Sequence, residues 1–187
     1  MDELEAVLED PVSLLDDPRP ELRRLALSAL AGRSDHAPHA IRLLQDADPR
    51  VRAEAAEVLG SHGAVAFDPL LAAARDSEEE IVLEAIAAAL GELEDPRAVP
   101  WLVSVATGSH QTLTRETAVA SLGAIGAPVA LPVLLALLRG GPPQVRRRCV
   151  VALTAFDGPE AEAAILAARG DRNPMVREAA EMIVGRE

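Results

Sequence analysis

Residues 46–59 read Asp46-Ala47-Asp48-Pro49-Arg50-Val51-Arg52-Ala53-Glu54-Ala55-Ala56-Glu57-Val58-Leu59. The opening Asp and Pro mark a turn running into a helix. A short acid side chain accepts from free N–H groups there, and proline's missing donor costs little in the first turn. Beyond it Val51, Ala55 and Leu59 fall on one stripe of a 3.6-residue helix, where a strand would need alternation by two. The same step recurs from Leu22, Val82, Thr114, Val145 and Val176, so that six copies are spaced 29, 31, 32, 31 and 31 residues apart. Four residues on stand Ala26, Ala55, Ile86, Ala118, Cys149 and Ala180; eight on stand Leu30, Leu59, Leu90, Leu122, Leu153 and Val184. Arginine follows the first residue in five copies, as Arg23, Arg52, Arg115, Arg146 and Arg177, with Leu83 in the third. Self-similarity at this period is the mark of a solenoid, whose units bury their apolar faces only by stacking on neighbours.

Working outward, a first helix is predicted before each turn, at 38–44, 65–75, 96–106, 128–138 and 159–168, with 1–15 serving the first copy as an acidic capping element broken at Pro11. Pro69, Pro100 and Pro132 recur near the fifth residue of these helices and should bend them or delay their start. Gly60, Gly91, Gly123 and Gly185 follow the eighth position, where a left-handed helix end is expected. The chain thus reads as one domain with units of approximately 1–32, 33–62, 63–93, 94–125, 126–156 and 157–187, without linker or second domain.

Composition narrows the function classes. Aromatic residues are 2% of the chain and alanines number 36, so the core is built from aliphatic and small side chains packed closely. A net charge of -12 argues against nucleic acid, whose binding draws on Lys and Arg at phosphates. All 18 basic residues are arginine, which excludes a lysine Schiff base and suits the coding bias of a GC-rich bacterial genome. No apolar run is long enough to span a membrane, the single cysteine cannot form an internal disulfide, and the Met1-Asp2-Glu3 start lacks a basic signal region, so a cytoplasmic location is expected.

The turns Asp46-Ala47-Asp48-Pro49-Arg50-Val51-Arg52 and Asp95-Pro96-Arg97-Ala98-Val99-Pro100-Trp101-Leu102 give a pattern that resembles HEAT-like repeats, and more narrowly the bacterial subtype first described in phycobiliprotein bilin lyases. The resemblance covers nearly the whole chain. It implies an all-α, right-handed α-solenoid of about six HEAT-like helix pairs. It also implies that the second-helix arginine pairs with acids of its turn, Arg52 with Asp46 or Asp48 and Arg177 with Asp171. The motif is shared by scaffolds, adaptors and a few enzymes, so it fixes fold more than function.

No catalytic set emerges. His36, His39, His62 and His110 do not reach the three or four ligands of a metal site and read as solvated loop residues. Cys149, at a core position, reads as a small buried hydrophobe rather than a nucleophile activated by Arg148. No cofactor site is expected. Interaction residues are expected on the outer face of the second helices, with Arg24, Glu57, Glu84, Glu116, Arg147 and Glu178 in register and Arg148 beside them in a run that suits an acidic group. Acids of the 78–80 run are explained by the helix dipole alone. Helical phase further places Trp101, Val105, Val133 and Leu137 opposite their own core stripes, as an apolar patch for a partner or for self-association. The expected activity is that of a non-catalytic scaffold or adaptor for another protein with a basic or mixed-charge surface. The alternative implied by the repeat subtype is a bilin lyase or isomerase subunit, or a chaperone-like factor, members of which act with a second subunit.

Overall fold

The computed structural model describes residues 10–109 and 111–185, and among these it contains helices and turns without a strand. The fold is an α-solenoid. The helices fall into two compact units divided after Leu93, a position predicted as a repeat boundary.

In the first unit a 3-10 turn, Pro11–Leu14, precedes α1 (Pro20–Ala29), α2 (Ala37–Leu43), α3 (Pro49–Leu59), α4 (Ala64–Asp76) and α5 (Glu80–Glu92). The second helices α1, α3 and α5 stack in succession, while α2 packs on α3 and α4 on α5. The second unit holds α6 (Val99–Gly108), α7 (Thr112–Ile125), α8 (Leu131–Gly140), α9 (Pro143–Ala152), α10 (Pro159–Ala168) and α11 (Pro174–Val184). Here α7, α9 and α11 form the stack, with α6, α8 and α10 each against its own partner. Of the capping element expected over 1–15, residues 1–9 lie outside the described residues, as does His110, and the remainder forms the 3-10 turn Pro11–Leu14.

The turn chemistry follows the sequence. Pro20, Pro49, Pro143, Pro159 and Pro174 open their helices. Asp48 caps α3 by accepting from Arg50 N at 2.8 Å, and Asn173 caps α11 by accepting from Met175 N at 3.0 Å. Pro100 and Pro132 act by delaying the helix start: a 3-10 turn, Pro96–Ala98 or Pro128–Ala130, comes first and the proline takes the second helical residue. Pro69, by contrast, lies inside α4.

Burial matches the stripe at its first, fourth and eighth residues in every copy except the last, where Val184 is 45% exposed. Each large aliphatic side chain so buried, Leu59, Leu90 and Leu122 among them, contributes about 1.5–3 kcal/mol. The stripe is wider than the sequence suggests, because the fifth residue is buried too: Leu27, Ala56, Ala87, Val119 and Val150, with half-buried Glu181 in the last copy.

The glycine expectation needs correction. Gly60 has φ -53 and ψ -33, and Gly91 and Gly123 lie within α5 and α7, all right-handed. Close approach is the reason for two of them. A Cβ on Gly123 would lie 2.8 Å from Cα and Cβ of Ala152, and one on Gly60 would collide with the Glu92 carboxylate. The left-handed end of α7 falls instead at Gly126, φ 61.

Candidate functional site

The repeat arginines are organised differently from the pairing the resemblance implied. Four of the five meet their own turn through a main-chain carbonyl: Arg23 Nη1 donates to Asp17 O at 2.7 Å, Arg52 to Asp46 O at 2.7 Å, Arg146 to Gly141 O at 2.9 Å and Arg177 to Asp171 O at 2.8 Å. The rest of the guanidinium reaches forward to the acid of the next turn. Arg23 Nε and Nη2 donate to Asp46 at 2.8 and 2.7 Å, and Arg146 does the same to Asp171 at 2.9 and 2.7 Å. Arg52 pairs with Glu79 at 2.7 Å. Arg52 therefore contacts neither the Asp46 nor the Asp48 carboxylate as its ion partner, and Arg177 takes the Asp171 carbonyl while Arg146 holds its carboxylate. Arg115, whose following turn is Gly140-Gly141-Pro142, donates to Ala106 O at 2.8 Å. The Arg146 and Arg52 guanidinium groups hold the Asp171 and Glu79 carboxyls below their ordinary values. Arg23, Arg52 and Arg146 thus clamp successive turns together, while Arg115 and Arg177 each hold a carbonyl of their own unit.

The apolar patch predicted around Trp101 is only partly open. Val105 and Leu137 are each 8% exposed, hence buried, and only Trp101 and Val133 are half-exposed. The phase argument assumed that a first helix buries one side. In fact α6 packs on α7 and also meets the Pro128–Ala130 turn, and α8 packs on α9 and also meets α10, so the covered arc extends to both residues.

The outer face of the second helices carries the charges. In the first unit Arg24 Nη2 pairs with Glu54 at 3.2 Å and the Ser28 hydroxyl donates to the same carboxylate. Exposed Glu57 has its carboxyl raised, first by partial burial and then by repulsion from Glu54, Glu84 and Glu92 against the opposing Arg24. Glu84 is half-buried. Glu57 is not in register with the others: they hold the residue two after the start of the stripe, where the second copy has buried Ala53, and Glu57 sits one turn further along. In the second unit half-buried Glu116 and Arg147 face each other at 3.8 Å, Arg148 is half-buried beside them, and Glu178 is exposed.

The reactive-residue candidates resolve into structural roles. Cys149 is fully buried and its thiol is pushed up to about 12 by that burial, against a weaker pull from Arg115. His62 is half-buried and held to the main chain; its Nδ1 lies 2.7 Å from Val58 O and its Nε2 3.2 Å from Arg33 O. The rings of His36 and His39 stand 5.7 Å apart, and among the described residues no group of three or more His, Cys, Asp or Glu is placed to hold a metal ion. Among those residues, too, no helix is long and apolar enough to cross a membrane.

Stacked helix pairs, turn-to-turn arginine clamps and a charged second-helix face define a helical-repeat protein. The chain belongs to the HEAT-repeat family, whose model matches residues 8–90 and 67–148. Among solved structures it is similar to YibA from Escherichia coli, with TM-score 0.69 and 20% identity over 95% of this chain and 71% of that one. It is also similar to a chain of the CpcE–CpcF complex of phycocyanin lyase from Nostoc, with TM-score 0.66 and 20% identity over 81% of this chain and 99% of that one. At these identities the likeness is one of fold. No curated protein matches the chain by sequence.

Proposed function

We propose that this chain is a non-catalytic scaffold or adaptor that binds another protein through the outer face of its second helices, in the cytoplasm of a bacterium. The six-unit partition set out from the sequence belongs to the same reading. The observation that carries it is the division of labour along those helices. Core positions are buried and the repeat arginines are committed to neighbouring turns, while Arg24, Glu57, Glu84, Glu116, Arg147, Arg148 and Glu178 keep side chains wholly or partly open on a framework that does not depend on their identity. Mixed signs on that face suit a basic or mixed-charge partner surface. Trp101 and Val133 are a secondary candidate surface, including for self-association.

The test is capture from the native cell with mass spectrometry, followed by binding of the purified partner. Glu84→Arg and Glu116→Arg should each weaken binding at least tenfold, and affinity should fall with salt, since open charges are screened over about 8 Å at physiological ionic strength. A purified partner whose affinity ignores both substitutions and salt overturns the assignment of this face. The fold likeness to a phycocyanin lyase chain motivates one second reading, a bilin lyase or isomerase subunit or a chaperone-like factor. A shifted visible spectrum when an open-chain tetrapyrrole is added would favour it, and an unchanged spectrum removes it.

A further inference from the structure

A surface groove of about 170 Å3 lies between α7 and α9, lined on one side by Ala120, Gly123 and Ala124 and on the other by Arg148, Val151 and Thr154. Its depth follows from residue size. Gly123 lets the two helices touch backbone to side chain, and the small side chains of Ala120, a turn before it, and Ala124, next to it, line the space that remains. Val151 stands at its edge, 46% exposed.

Arg148 is the unusual member. Its Nε is covered from solvent without a hydrogen-bond partner, and among the described residues no ion pair reaches its guanidinium. The covered Nε alone does not mark the groove, since Arg24 Nε is covered and unmet as well; what sets Arg148 apart is a guanidinium lining the groove with no carboxylate among the described residues to hold. The matching place between α1 and α3 holds its own ion pair. There the residue in Arg148's repeat position is Glu54, and the two residues that face it from the preceding helix, Arg24 and Ser28, both bind it. Between α7 and α9 the counterpart of Ser28 is Ala120, which has no polar group, and the counterpart of Arg24 is Glu116, which faces Arg147 instead.

We propose that this groove docks an acidic side chain, flanked by an apolar residue, on the surface of a partner protein. The proposal rests on the scaffold reading above and names the chemistry of one of its contacts. Guanidinium groups of this chain take a carboxylate in a two-bond fork where one is within reach, as Arg23 does with Asp46 and Arg146 with Asp171, and Arg148 lines the groove with its charge unpaired among the described residues. The alanines and Val151 supply apolar contact beside it. The volume suits one side chain and lies below the roughly 300–1,000 Å3 of pockets that enclose drug-sized ligands. A monoanionic carboxylate also suits a chain of net charge -12 better than a phosphate dianion, because the summed field opposes the second charge.

The Nε–Hε group of an arginine gives its own 1H–15N NMR cross-peak, so Arg148 can report directly. The labelled full chain is titrated with acetyl-Leu-Glu-Leu-amide, with acetyl-Leu-Gln-Leu-amide, with acetyl-Leu-Leu bearing a free terminal carboxylate, and with inorganic phosphate. The Glu peptide should shift the Arg148 signal saturably and bind at least tenfold more tightly than the Gln peptide. Arg148→Met should abolish that preference for Glu over Gln, and Ala124→Leu, which fills the groove from an exposed position, should block the Glu peptide while leaving Arg148 in place. The proposal is overturned by no saturable shift, by equal binding of the Gln peptide, by phosphate matching the Glu peptide, or by preference for the free terminal carboxylate. If a purified partner responds to Glu84→Arg but binds Arg148→Met and Ala124→Leu as tightly as wild type, the groove assignment fails and the scaffold reading stands.

Discussion

Removing the Asp171 carboxylate is the most direct way to ask whether the arginine clamp holds the stack. Arg146 is 2% exposed and Asp171 13%, their two bonds measure 2.9 and 2.7 Å, and Asp171 Oδ1 also accepts from Asn173 N at 2.7 Å, which fixes the turn that opens α11. Asp171→Ala leaves a buried guanidinium without its counter-charge. Breaking a buried ion pair from one side costs about 3–5 kcal/mol, and we place this one near 3 because Arg146 keeps the Gly141 carbonyl and solvent reaches part of the site. At roughly 2–4 °C per kcal/mol for a chain of this size, Tm should fall by about 6–12 °C. The comparison is Asp16→Ala, which removes a carboxylate paired with Arg42 at the same 2.7 Å but 77% exposed, and should be nearly silent. Urea unfolding for the free energy and thermal unfolding for Tm, each followed by far-UV circular dichroism and by Trp101, the only tryptophan and a member of the same compact unit, give both readings. Equal effects of Asp171→Ala and Asp16→Ala would refute the assignment of the clamp as the stabilising element.

Acid should destabilise the fold through the same groups. Asp171, Glu79 and Asp48, the last held at about 2 by Arg50, all have folded values below the ordinary 3.8 or 4.5. Their contribution is therefore full above those ordinary values and lost as pH falls through the depressed ones, and urea midpoints from pH 6 to pH 2 should decline in that window. Leu122→Ala and Leu90→Ala, at fully buried positions, should each cost about 2–5 kcal/mol in the same assay, with exposed Glu57→Ala nearly silent. Gly123→Ala should destabilise by about 1–3 kcal/mol because its Cβ meets Ala152, while Gly140→Ala, which meets nothing within 4 Å, should be neutral or stabilising. Cys149 should resist thiol reagents at pH 8 in the folded protein and react once urea exposes it, as its buried, protonated thiol requires.

Periodicity made the helices legible, since the four-residue stripe and the Asp-Pro turns depend only on local geometry. Partners across the stack were less so. The forward acid of Arg23 lies 23 residues on, and nothing local distinguishes Asp46 from Asp16 and Asp17 of the arginine's own turn. A usable signal was present, however: Arg146 follows a turn without an acid, so its carboxylate had to come from elsewhere. Val105 and Leu137 were misplaced because helical phase gives directions but not how many directions are covered. The groove beside Arg148 was invisible for a related reason. Ala120 and Ala124 read as ordinary helix formers until the neighbouring helix shows that nothing fills the space above them.

The clamp also explains why a charged face can vary from copy to copy on one framework. A carbonyl bond to the arginine's own turn fixes its stem, and a carboxylate bond to the following turn fixes the spacing between repeats, so a single side chain sets both distances. Neither bond involves the residue that follows the arginine. That position holds Arg24, Glu116, Arg147 and Glu178 after arginines, Glu84 after Leu83 and a buried Ala53 in the second copy, a change of sign and size that the buried stripe does not show. A surface whose residues are free of the packing that holds them is suited to recognition, because substitutions there alter the partner chosen while stability stays within the small range of ordinary surface changes. The second-helix face meets that condition more fully than the half-buried Trp101 does.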